Sequence, residues 1–371
     1  MKIGEKRTFY LDLARVIAII SITLNHAVNR TYQTYTNQLA EYLAIPFAST
    51  LLKVVVFIFS RMGVPLFLMI TGALIMNKKM EDASDVRKFY KHNVLSLFIT
   101  AEIWYFLMYW YLVIGNNLVQ TKGWLSVIGG MFSTMLFLNQ TTMSSMWYIP
   151  MILCVYTTLP FVIIIKDKLI NSKAPVVFLP IILLFVIDMV MPSINSFLDI
   201  LDLGELDTSI SRSYLFCYYY IYILIGYFIS RGFLKTWKTW VVAVCAASSF
   251  LICCGYQLWV FTKPADYIVP YDFMLLPFCV GFLFELVRRG AHLVQKAEKP
   301  ITCISRISFG IYLMHILFVT ALKGLLDRYA PGLLLPVRLM ILEIIPVGLS
   351  IAIILPLSKI KLFKKYVFLI K

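Results

Sequence analysis

Long apolar runs separated by short polar segments make up almost the whole chain. A helix crossing a bilayer needs about 17 to 25 mainly apolar residues. Ten runs meet that length: 8–30, 51–76, 93–114, 146–165, 175–192, 213–230, 239–262, 271–287, 303–322 and 333–357. A further apolar stretch, Trp124 to Leu138, has about 15 residues and predicts a short re-entrant or interfacial helix instead of a span. The pattern predicts an all-α polytopic membrane protein of about ten transmembrane helices plus this short one. No loop is long enough for an extra domain, so 1–371 is expected to form a single membrane-embedded domain.

Composition removes the soluble alternatives. The chain is 60% hydrophobic and only 14% charged, with mean hydropathy +0.83, whereas soluble domains are about half apolar and a quarter charged. The net charge of +15, from 34 Lys+Arg against 19 Asp+Glu, would suggest nucleic acid in a soluble protein. In a membrane protein it reports topology, because cytoplasmic loops retain Lys and Arg. With the N-terminus inside, the inner segments hold 23 basic residues and the outer ones five, while six lie in or at the edges of spans. The expectation is a multi-pass cell-membrane protein with both termini cytoplasmic and no nucleic-acid partner. Counting 124–138 as a span would invert every later loop and erase the asymmetry. The first apolar run is too long for a signal-peptide core and no small-x-small cleavage site follows it, so it is expected to be retained. All seven cysteines fall in predicted spans, with no Cys-x-x-Cys and an odd total, so neither disulfides nor a metal site is expected.

Polar groups placed inside spans carry the candidate chemistry, since an ionisable side chain there costs at least about 2.5–3.5 kcal/mol and usually faces a cavity or a partner. In the first run Arg15 and His26 are eleven residues apart, which puts them on one helix face about 16 Å apart along the axis. Asn25 precedes the histidine, and Asp12 lies one turn below Arg15. Arg15 either serves chemistry or simply pairs with Asp12, with His26 at the outer boundary. In the second run Arg61 stands deep in the apolar segment, with the helix-perturbing Pro65 one turn on. A guanidinium there, with five donors and no acceptor, needs an anionic or carbonyl-rich partner, and Glu102 or Asp188 would be a structural one. Trp147 and Tyr148 open the fourth run as interface anchors or as a binding surface. His315 in the ninth would ordinarily be a packing residue.

Taken together, Arg15 and His26, the run Ser60 to Gly72 (Ser-Arg-x-x-Val-Pro-Leu-Phe-x-Met-x-x-Gly), Trp147 to Pro150 (Trp-Tyr-x-Pro) and Gly310 to His315 (Gly-Ile-Tyr-Leu-x-His) resemble, in that order, the acyltransferase-3 family. These are integral-membrane acyltransferases that modify sugars of bacterial surface polysaccharides and related acceptors. The resemblance covers Tyr10 to about Leu357, including the ten-span layout. The chain departs from some relatives: Met62 and Gly63 follow Arg61 where an Arg-x-Arg clamp is found, and Ser145 stands where a histidine precedes the Trp-Tyr pair. On its length the chain is expected to be of the stand-alone branch, which lacks a C-terminal extracellular esterase-like domain.

The resemblance implies transfer of an acyl group, most simply acetyl from cytoplasmic acetyl-CoA or another acyl-CoA, to a hydroxyl of a surface glycan or glycolipid. Such a reaction needs a base for the hydroxyl proton and fixed positive charge for the oxyanion and the coenzyme A. His26 is then the base or a transient acyl acceptor, with Arg15 and Arg61 orienting the donor. Trp147, Tyr148, His315 and Asn25 would bind substrate. A transporter or flippase is the competing reading, since ten spans with buried Arg61, Glu102, Asp188 and Glu343 also suit a polar pathway. Paired broken helices in inverted repeats would support it, and the chain carries no convincing internal repeat.

Overall fold

The computed structural model describes residues 8–115, 118–135, 144–170, 182, 185–203, 218–264 and 266–370, and among them every regular element is helical. In chain order these are α1 (Phe9–Thr31), α2 (Gln38–Ala44), α3 (Phe47–Ser60), α4 (Gly63–Ile75), α5 (Ala83–Phe89), α6 (Leu95–Gly115), α7 (Leu118–Lys122) and α8 (Trp124–Met135). There follow α9 (Tyr148–Ile170), α10 (Met191–Ile200), α11 (Tyr219–Ser230), α12 (Thr239–Phe261), α13 (Leu276–Gly290), α14 (Glu298–Tyr329) and α15 (Leu335–Leu357). A 3-10 stretch, Ala291–Ala297, joins α13 to α14, and a π-helical turn, Phe363–Val367, follows α15.

Seven helical runs among the described residues are long and apolar enough to cross a bilayer, one of them covering both α13 and α14, and two shorter apolar helices accompany them. The chain is an all-α polytopic membrane protein. The predicted spans 175–192 and 213–230 lie partly outside the described residues. The stretch predicted as 124–138 contains the 12-residue α8, packed on α6, where the Tyr109 hydroxyl donates to the Val127 carbonyl at 2.6 Å. Residues 136–143 lie outside the described part.

Two predicted spans differ from what forms. The run 51–76 is two helices, α3 and α4, divided at Arg61 and Met62. Pro65 has no N–H to give the Arg61 carbonyl and its ring crowds that carbonyl, so the ladder stops there and resumes with Leu66 N–H on Met62 O at 2.9 Å. The run 271–287 becomes helical only at Leu276, where Pro277 sits in the first turn, the position a proline favours. The residues before it form a loop whose apolar side chains are nevertheless buried, Val269 and Phe273 among them.

Small residues set the helix spacing, since lipid tails give no hydrophobic drive between helices and close van der Waals packing must hold them. The α4–α11 crossing is backbone against backbone: a Cβ on Gly72 would stand 1.9 Å from the Ile223 carbonyl oxygen, and one on Gly226 2.1 Å from that of Met69. Gly63 lets α4 approach α1, where its Cβ would meet the Ile22 side chain at 2.6 Å and the Ala18 oxygen at 2.8 Å. Helix α1 is the hub, packed on α3, α4, α13, α14 and α15. It runs parallel to α14, for Asp12 meets Ser305, His26 meets His315 and Arg30 meets Thr320. On the periphery, Leu251 of α12 and Met340 and Ile344 of α15 are exposed and turn apolar surface outward to the lipid.

Substituting Gly226→Ala is expected to cost about 1–3 kcal/mol by overpacking, read as a lower thermal midpoint in detergent micelles. Gly255→Ala on α12, where a Cβ meets nothing within 4 Å, is expected to leave the midpoint in place.

Candidate functional site

Breaking the helix at Arg61 places its side chain inside the bundle. Arg61 is 6% exposed; its Nε donates to the Val269 carbonyl at 3.0 Å and its guanidinium lies 3.7 Å over the Tyr271 ring. It makes no hydrogen bond to Glu102 or Asp188; the acceptor it needs is a backbone carbonyl of the loop before α13. That loop is pinned from several sides. Gln257, a fully buried amide in the apolar α12, accepts from Val269 N–H at 2.7 Å and donates to Tyr267 O at 3.2 Å. Tyr222 donates to Tyr271 O at 2.6 Å. The two terminal nitrogens of Arg61 bond no described residue, so a planar, permanently charged fork of donors is left available.

Next to it, Ser60 accepts from Asn25 Nδ2 at 2.9 Å and donates to Phe57 O at 2.6 Å, which ties the break to α1 at the residue before His26. The His26 ring lies 5.2 Å from that of His315, centroid to centroid. His315 is fully buried, with Nδ1 2.9 Å from the Ile311 carbonyl oxygen one turn back. From Arg61 to His26 an unbroken series of ring contacts runs through Tyr271, Trp147, Tyr148, Tyr312 and His315. Trp147 and Tyr271 are 5.5 Å apart and Tyr148 and Tyr312 5.7 Å. These rings link the cation to the imidazole pair. On the other side of the loop an open cavity of about 440 Å³ is lined by residues that include Asn195, Asp266, Tyr267 and Asp272.

Six of the seven residues singled out from the sequence therefore come together: His26, Asn25, Arg61, Trp147, Tyr148 and His315. The seventh does not. Arg15 stays about 16 Å down α1, a quarter exposed, with Nη1 3.2 Å from Asp12. Asp12 is buried there and also accepts from Ser305 at 2.7 Å and Thr302 at 3.3 Å, so this group joins α1 to α14. The Ser145 side chain lies outside the described residues. Sequence reasoning missed Tyr271 and Gln257. An amide in the middle of a 23-residue apolar helix was a visible signal for Gln257, whereas nothing in the local pattern marks Tyr271. It also missed that Glu343 of α15 meets the Thr23 hydroxyl of α1 at 2.6 Å, one turn before His26.

A family model described as an acyltransferase domain, that of acyltransferase-3, matches residues 8–357. No curated protein matches the chain, nor does any solved structure. With nearly its whole length matched, the chain belongs to the acyltransferase-3 family and is a multi-pass membrane acyltransferase.

Proposed function

We propose that the protein is a membrane O-acyltransferase that moves an acetyl group from cytoplasmic acetyl-CoA to a hydroxyl of a cell-surface polysaccharide or lipid-linked glycan. The observation that carries the reading is the His26 ring, 5.2 Å from His315, on the helix that Asn25 ties to the turn bearing Arg61. Acyl transfer from a thioester requires a base for the incoming hydroxyl and donors for the oxyanion, and these are the groups collected here.

In this scheme the acceptor oxygen attacks the thioester carbonyl while His26 takes its proton. The free donors of Arg61 hold the oxyanion, and its collapse expels the thiolate, which recovers the proton from His26. A general base contributes about 10²–10⁴-fold and a preorganised oxyanion donor about 10²–10³-fold. The basic residue asymmetry supports a cytoplasmic location for both termini. Arg15 then stands at the inner end of α1, suited to guide the anionic donor toward His26, with exposed Lys78, Lys79, Lys364 and Lys365 adding long-range attraction. The acceptor enters from the opposite end, where the faces of Trp147 and Tyr148 suit a sugar ring and the cavity behind the Tyr271 loop opens.

His26→Ala is expected to lower transfer of label from [14C]acetyl-CoA to the envelope glycan fraction by about 10²–10⁴-fold while the protein stays folded in the membrane. Transfer at the wild-type rate in that variant would overturn the scheme. Arg61→Lys keeps the charge and removes the planar fork, and is expected to lose about tenfold or more of the rate in the same assay. An undiminished rate would remove Arg61 from the chemistry.

A further inference from the structure

His315 is held by its own helix. Its Nδ1 is 2.9 Å from the Ile311 carbonyl oxygen, and because a carbonyl only accepts, Nδ1 carries the proton. In the neutral ring Nε2 is left with a lone pair. That atom is buried and has no hydrogen-bond partner among the described residues. A sealed acceptor without a donor is costly, and His315 has two ring neighbours. The closer of its two ring neighbours is His26, tilted 46° to it, and His26 makes no hydrogen bond to any described residue.

We propose that His315 is a positioning residue for the acyl transfer: its Nε2 accepts the N–H of His26 and so selects the tautomer whose other nitrogen bears the lone pair facing the acceptor hydroxyl. This rests on His26 being the base, and supplies what orients it. The logic is that of any base held by a second acceptor, which fixes the tautomer and shares the charge that forms. As the acceptor O–H proton moves to His26, a C–O bond forms at the thioester carbon. His26 is then an imidazolium with two N–H groups, one turned to His315 Nε2. When the C–S bond breaks, the proton first taken from the hydroxyl passes to the departing sulfur, and His26 returns to its starting tautomer. The net change is one ester and one thiol from one hydroxyl and one thioester. In the resting protein the rings are in contact without a bond, and catalytic hydrogen bonds of this kind tighten when substrate is bound. Arg30, in the last turn of α1 with Nη2 3.4 Å from Thr320 Oγ1, fastens α1 to α14 beyond the pair.

The chain has only four histidines, so its imidazoles can be read one by one. Full-length protein labelled with ¹³C,¹⁵N-histidine, in liposomes and with a non-transferable acetyl-CoA analogue bound, is expected to show, by solid-state NMR, a neutral ring protonated at Nδ1 that is assigned to His315 by its loss in His315→Asn. The same variant keeps a donor for Ile311 but lacks the Nε2 acceptor, and is expected to turn the His26 signals from one tautomer into a mixture. It should also lower transfer from [14C]acetyl-CoA about 100-fold, with the KM for acetyl-CoA unchanged within about twofold. His315→Gln, whose amide oxygen reaches the Nε2 position, is expected to recover about tenfold of that loss. A wild-type His315 protonated at Nε2, His26 signals indifferent to His315→Asn, or a His315→Asn rate equal to wild type would each overturn the proposal. An active His26→Ala variant would instead overturn the assignment of the base, so the two failures are distinct.

Discussion

Pro65 cannot donate to the carbonyl of Arg61, and its ring occupies the space that a continuous helix would need. The chain answers by turning at Arg61 and Met62 and starting again at Gly63. That one missing hydrogen bond brings a guanidinium into the middle of the bundle, where bringing a charge costs at least about 2.5–3.5 kcal/mol. The cost is offset by a carbonyl and an aromatic face, both supplied by one loop. The loop holds its shape because Gln257 and Tyr222 bond its backbone. Irregular backbone at membrane depth is tolerated only where it is buried in protein or lines a cavity, and this loop is packed on α10, α11 and α12.

The same break couples the cation to the histidines. A glycine two residues after Arg61 lets α4 press against Ala18 and Ile22 of α1, and Ser60, one residue before it, is bonded by Asn25. His26 is therefore registered against Arg61 by short-range contacts on both sides of the turn. His315 is registered against His26 because α1 and α14 run parallel and are fastened lower down by Asp12 on Ser305 and Thr302. Arg15 belongs to that lower fastening, so Arg15 and His26 stand at two levels of one helix.

Much of this was legible along the chain. Apolar run length found α1, α12 and α15 within a few residues, because a helix in lipid must satisfy its own backbone and needs a fixed length to cross. The residues that gather at the site were visible as polar groups in costly places. What a one-dimensional pattern does not carry is which of them meet. Arg61 required an anionic or carbonyl-rich partner, and the pattern did not say that it would be a carbonyl 208 residues away. Tyr271 sits in a stretch whose apolar character reads as helix, although it is a half-buried loop in which Val269 and Phe273 are buried. The pairing of His26 with His315 depends on the parallel register of two helices set by an Asp–Ser contact 293 residues apart.

The most direct test of the account is a structure of the full chain with a non-transferable acetyl-CoA analogue, in which a methylene replaces the thioester sulfur. The account predicts the acetyl carbonyl oxygen within hydrogen-bond distance of an Arg61 terminal nitrogen, its carbon beside the His26 ring, and the pantetheine arm descending along α1 past Arg15. An acetyl group bound away from Arg61 and His26, with both side chains unengaged, would contradict it.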